Sequence, residues 1–175
     1  MSIDFTDTGA LFDATRRYRY TLWRKWSDGG RFVNFVMLNP STADESVLDP
    51  TVTRCMNFAK DWGYDGGYVT NIFALRSTDP RELYSCHDPV GLWNDTYITE
   101  TAKACSLVVV AWGVHGKLKG RGIEVGKMLQ EFEPQCFDLT KEGMPKHPLY
   151  LRRSSTLMPF RTMTAESVAR ALASK

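Results

Sequence analysis

The run Phe32-Val33-Asn34-Phe35-Val36-Met37-Leu38 is mainly β-branched and aromatic, and Asn39-Pro40 stops it abruptly. An apolar run of this length reads as a strand buried on both faces. Proline has no N–H to give a sheet ladder, so Pro40 ends the strand and turns the chain. Asn39 is thereby left at the carboxyl end of a core strand, with Ser41, Thr42 and Asp44 close behind it. In open α/β sheets the crevice outside the carboxyl ends of the strands is where ligands bind.

The same grammar recurs downstream. Tyr68-Val69-Thr70-Asn71-Ile72-Phe73 is a second buried strand, Leu107-Val108-Val109-Val110-Ala111-Trp112 a third, and Cys136-Phe137-Asp138-Leu139 a short fourth. Between them lie helical patterns. Asp49-Pro50 caps the first, whose apolar face is Val52, Cys55, Met56, Ala59 and Trp62. Tyr97, Ile98, Thr101, Ala102 and Cys105 mark the second, beginning at Asp88-Pro89 or Asn94, and Leu118, Val125, Met128, Leu129 and Phe132 the third. A capped helix over 164–173 closes the chain. Tyr18 to Trp26, rich in aromatic and basic residues, reads as a further strand. The turn signal Ser27-Asp28-Gly29-Gly30 predicts that it pairs antiparallel with Phe32–Leu38 at or near a sheet edge, its charges discouraging unwanted pairing.

Strands alternating with helices imply a mostly parallel sheet covered on both faces. The expected fold is therefore α/β: a three-layer α/β/α arrangement with a four-stranded parallel central sheet plus one antiparallel edge strand. With 175 residues, 43% of them hydrophobic, one domain over 1–175 with its core at about 17–160 is the simplest division. A net charge of +2 restricts any phosphate-binding surface to a local patch. The cysteines Cys55, Cys86, Cys105 and Cys136 form no C-x-x-C pair, and the start of the chain is acidic without an apolar signal core. Reduced thiols, a cytoplasmic setting and no membrane span are the expectation. No histidine or cysteine pair has ligand spacing, so neither metal nor cofactor is expected.

In a parallel sheet the carboxyl ends share one edge, so Asn39, Asn71, Trp112 and the later His147-Pro148 should converge. A strand-end carboxamide such as Asn71 offers one acceptor and two donors, a match for the edge of a nucleobase held outside its duplex. Phe73, Trp112 or Tyr150 can stack on the base. His147 can donate a hydrogen bond to an oxygen that gains charge as a bond to the base breaks, and Asn39 can orient a water. Lys117, Lys119 and Arg121 stand at a helix start, where cations oppose the macrodipole. With Arg152, Arg153, Ser41 and Thr42 they are candidates for binding phosphate. His115 and His87 read as incidental.

Met37-Leu38-Asn39-Pro40-Ser41-Thr42-Ala43-Asp44, Asp49-Pro50-Thr51, Trp62-Gly63-Tyr64, Asn71-Ile72-Phe73-Ala74, Ala111-Trp112-Gly113 and His147-Pro148-Leu149-Tyr150-Leu151 carry a resemblance to a bacterial and phage family known as a domain of unknown function. It extends from about Arg17 to Phe160. More distantly, the order of these motifs resembles the uracil-DNA glycosylase superfamily, which has a four-stranded parallel sheet in an α/β/α layer. That resemblance implies that Asn39 positions the attacking water, Asn71 binds the base edge, His147 stabilises the departing base, and Leu149 or Leu151 wedges into the DNA groove. The most active branch has aspartate where Asn39 stands, which leaves Asp44 or Asp49 to supply a carboxylate. The expected function is a glycosylase-like protein that binds a nucleobase, flipped from DNA or carried by a nucleotide, and hydrolyses its N-glycosidic bond. The alternatives are a non-catalytic module binding a modified base or nucleic acid, and a hydrolase or transferase acting on free nucleotides.

Overall fold

A computed structural model describes residues 4–162; the helix expected over 164–173 lies outside them. The elements run β1 (Asp7–Phe12), β2 (Arg19–Lys25), β3 (Phe32–Met37), α1 (Pro50–Asp61), β4 (Gly66–Asn71), α2 (Glu82–Ser85), α3 (Asn94–Ala104), β5 (Leu107–Val110), α4 (Arg121–Met128), β6 (Gln135–Cys136) and β7 (Met158–Pro159). They form one seven-stranded sheet in the order β1-β2-β4-β3-β5-β6-β7. β4, β3, β5 and β6 pair in parallel, and β1, β2 and β7 are antiparallel additions. Among the described residues no helix is long and apolar enough to cross a membrane.

The doubly apolar β3 sits inside the parallel core, as its composition requires. Its alternate residues feed two clusters. Val33, Phe35 and Met37 pack with Cys55, Met56, Phe58 and Ala59 of α1, whereas Val36 packs with Ile98 and Ala102 of α3 and Val125 of α4. β5 divides the same way, with Val108 and Val110 on the α3/α4 side and Val109 on the α1 side. Helices therefore cover both faces of the sheet.

The expected pairing of the first strand is corrected. β2 pairs with β4, not β3, and it stands one place in from the sheet edge, with β1 covering its outer side. The Ser27–Gly30 turn folds around Asp65, just before β4: Trp26 N donates to Asp65 O at 3.0 Å, Ser27 Oγ to Oδ1 at 2.5 Å, and Arg31 N to Oδ2 at 2.9 Å. That brace admits β4 between β2 and β3. The consequence for charge is direct. Arg19 and Arg24, expected as edge charges, are buried. Trp93, at the start of α3, is 57% exposed.

The expected third helix is divided. A 3-10 segment at Val114–Gly120 is interrupted at Leu118 (φ −53°, ψ 124°) and Lys119 (φ 52°), and regular helix begins only at Arg121. Two glycines of this stretch, Gly116 and Gly122, are needed where they stand, because a Cβ at either would run into the indole of Trp112.

Candidate functional site

The chain ends of β3, β4 and β5 enclose a cavity of about 470 Å³ at the carboxyl edge of the parallel sheet. That volume lies within the range of small-molecule sites. Asn39 enters just beyond β3, Asn71 is the last residue of β4, and Trp112 and Gly113 follow β5. Residues from two loops complete the wall: Ser77 and Thr78 after β4, and His147 and Leu149 near the end of the described chain. The start of α1 also contributes, through Asp49, Thr51 and Val52. Asn39, Asn71 and His147, separated widely in sequence, thus line one opening.

Each is held by specific bonds. Asn39 Nδ2 donates to Pro40 O at 3.1 Å and to Ser77 O at 2.9 Å, which ties the β3 turn to the loop after β4. Its two N–H groups are spent there, and Oδ1 remains as an acceptor able to orient a water. Asn71 is 1% exposed, and its Oδ1 accepts from Arg19 Nη2 at 3.2 Å. The end of β4 is further fixed by Asn94 Nδ2, which donates to Asn71 O at 2.8 Å and to Ile72 O at 3.1 Å.

His147 stands before Pro148 and caps the short 3-10 turn that follows it. Its Nδ1 accepts from Leu149 N at 3.3 Å. Burial pushes its pKa below the ordinary value of 6.5, with an opposing pull from Asp49. The imidazole is therefore neutral at pH 7, and because Nδ1 accepts, the proton resides on Nε2. Gly113 makes the approach of this loop to β5 possible. It sits at φ 73°, its N donates to Pro145 O at 2.8 Å, and the His147 Cβ lies 3.8 Å from where a Gly113 Cβ would be.

Other expected residues fall elsewhere. Ser41 and Leu149 line the cavity; Thr42 is exposed outside it. Asp44 closes its own turn, accepting from Ser46 N and Val47 N, each at 2.8 Å, and these bonds hold its carboxyl below the usual range. It does not line the cavity; Asp49 does, while its Oδ1 caps α1 by accepting from Val52 N at 2.7 Å. Phe73 is sealed in the core and adds no cavity surface. Trp112 lines the cavity but is 1% exposed, so it serves as a wall, its ring edge-on to Phe160. The side chain of Tyr150 lies outside the described residues. Leu151 packs against the α1 side of the core.

The expected cationic patch is dispersed. Arg121 is buried, donating through Nε to Ile72 O at 2.8 Å and pairing with Asp95 and Glu124. Lys117 pairs with Glu142 at 2.8 Å, and Lys119 reaches His87 O at 3.4 Å. Arg153 pairs with Asp61 at 2.5 Å, at the far end of α1 from the cavity, about 18 Å along the helix. Arg152 is exposed.

Among the lining residues that were not legible as such in the sequence, two are titratable. Arg19 is buried against Asn71 and donates through Nη1 to Ala43 O at 2.8 Å; burial lowers its pKa to about 10. His115 also lines the cavity, its Nδ1 3.1 Å from Tyr84 Oη. Among the described residues, no group of three or more His, Cys, Asp or Glu side chains is arranged to hold a metal ion. The cavity therefore offers a buried amide donor, an acceptor, a neutral imidazole donor, hydroxyls and one carboxylate.

Comparison with known proteins adds one result. No curated protein and no solved structure matches the chain significantly. A family model described as a protein of unknown function, DUF1643, matches residues 19–149. These residues span the cavity lining from Arg19 to Leu149, and the chain belongs to that family.

Proposed function

We propose that the cavity binds a nucleobase, carried by DNA or by a nucleotide, and that the protein hydrolyses its N-glycosidic bond in the manner of the uracil-DNA glycosylase superfamily. The observation that carries this reading is the common opening shared by Asn39, Asn71 and His147. Asn71 binds the base edge. His147 Nε2–H donates to a base oxygen as the electron pair of the glycosidic bond moves into the ring. Asn39 Oδ1 orients a water for attack on the sugar carbon, and Asp49, through its second oxygen, accepts the water's proton. The resemblance of the motif order to that superfamily's supports the same assignment.

The test is base release from DNA carrying uracil, mismatched or modified bases, and from the corresponding nucleotides. Release should fall at least 100-fold in each of Asn39→Ala, Asn71→Ala and His147→Ala. Undiminished release in these variants would remove the assignment.

A second reading has its own support. The cations expected to grip a DNA backbone are buried or ion-paired in Arg121, Lys117 and Arg153. This favours a free nucleotide over duplex DNA as the ligand. Nucleotide binding without salt-dependent DNA affinity would select it.

A further inference from the structure

A second hollow, of about 480 Å³, shares no lining residue with the cavity at the carboxyl edge. Aromatic rings from two parts of the chain line it: Tyr18 and Tyr20 at the start of β2, and Trp93 and Tyr97 at the start of α3. Tyr20 and Tyr97 stack, their ring centroids 5.1 Å apart. Trp93 is 57% exposed and its neighbour Leu92, on the same wall, 82%. Adjacent apolar side chains left to solvent beside an aromatic hollow mark a surface built for contact.

Charge gives that surface a sign. The lining carries the carboxylates of Asp13 and Asp88 and, among the described residues, no basic side chain. Their oxygens are largely engaged by the backbone. Asp13 accepts from Tyr18 N at 2.8 Å and Thr15 N at 3.1 Å, and Asp88 Oδ1 accepts from Val90 N and Gly91 N, each at 3.1 Å. Tyr18 Oη is also committed, donating to Asp88 O at 2.8 Å. Burial pushes the Tyr18 and Tyr20 hydroxyls above their ordinary pKa, and Asp13 and Asp88 add to the rise in both, so the negative field reaches the rings. The chain's own cations border the hollow in the same manner. Arg17 lies 5.9 Å from the centroid of the Tyr18 ring, and Arg16 3.9 Å from that of Phe12. The hollow therefore offers negative charge and aromatic faces but few free acceptors. A cation bearing N–H groups would leave donors unpaired there, whereas one whose charge is sheathed in methyl groups would not.

We propose that this hollow binds a small quaternary ammonium compound, with its methyl groups against Tyr18, Tyr20, Trp93 and Tyr97 and its charge balanced by Asp13 and Asp88. The site is independent of the base-binding reading, since the two cavities have no residue in common.

Calorimetric titration with choline, its uncharged carbon isostere dimethylbutanol and glycine betaine tests the proposal. Choline should bind about tenfold more tightly than the isostere, which has its shape without its charge. Betaine, whose carboxylate would meet Asp13 and Asp88, should bind more weakly than choline. Two variants locate the site. Trp93→Ala removes an exposed ring, and Asp88→Asn removes the charge while keeping an oxygen for Val90 N and Gly91 N, so both should keep the fold. Each should weaken choline binding by about fivefold to tenfold. Absence of choline binding, an isostere or betaine that binds as tightly as choline, or undiminished binding in either variant overturns the inference.

Discussion

His147 is a donor because of where it is buried and what its other nitrogen does. With its pKa below 6.5 in the folded protein, the unfolded chain binds more protons on acidification, so stability falls as pH drops through 6.5 and levels off below the folded value. Denaturant midpoints measured from pH 8 to 5 should show this slope, and His147→Gln should flatten it. Asn39 makes the opposite point, since its amide nitrogen holds Pro40 O and Ser77 O. Asn39→Asp would set a carboxylate against two carbonyl oxygens, and should destabilise by roughly 1–3 kcal/mol. A carboxylate at this position is therefore disfavoured by this chain's own loop after β4. Asn39, Asn71 and His147 were legible because proline or a strand end announces each of them. Arg19 was not, because its reading depended on a pairing partner that lies more than forty residues away.

At the scale of elements, α1 and the turn after β5 frame the cavity. The α1 start combines a structural and an electrostatic part in one residue. Asparagine caps a helix as well as aspartate does, so Asp49→Asn should leave stability nearly unchanged, whereas Asp49→Ala should cost about 1 kcal/mol. Base release should fall in both if the Asp49 charge takes the proton, and thermal melts run beside activity assays separate the two parts. Across the cavity, Trp112 is pressed against Gly116 and Gly122, with its indole nitrogen buried and without a hydrogen-bond partner among the described residues. Gly122→Ala should push the indole towards the opening, with a stability loss of about 1–3 kcal/mol and weakened ligand binding. The helices α1 and α3 were readable from their apolar period. The break at Lys119 was not, since its positive φ falls on a lysine, a residue type that does not announce one. The β2 partner was hidden for a similar reason: Asp65 satisfies the Ser27–Gly30 turn from outside it.

For the whole molecule, the instructive boundary is the one between the family-matched residues and what surrounds them. Alternation of strands and helices made the parallel core and its two covered faces legible, because burial on both sides leaves a continuous apolar run. β1 and β7 leave weaker traces, being short or largely exposed. β1 lies before the match at residue 19, and none of its residues lines the cavity. Its role is to close the outer side of β2, where Asp7 pairs with Lys25 at 2.9 Å and Gly9 O lies 3.4 Å from Arg24 Nη1. An uncovered strand beside a parallel core presents unpaired N–H and C=O groups to other molecules. Removing residues 1–14 should therefore leave ligand binding in the carboxyl-edge cavity intact, because every group lining it remains. It should lower stability by roughly 1–3 kcal/mol, a few degrees in Tm. It should also bring concentration-dependent association, visible by sedimentation, as β2 finds a partner strand in a second copy. A truncated chain that stays monomeric at high concentration would show that Arg24 and Lys25 guard this edge without β1.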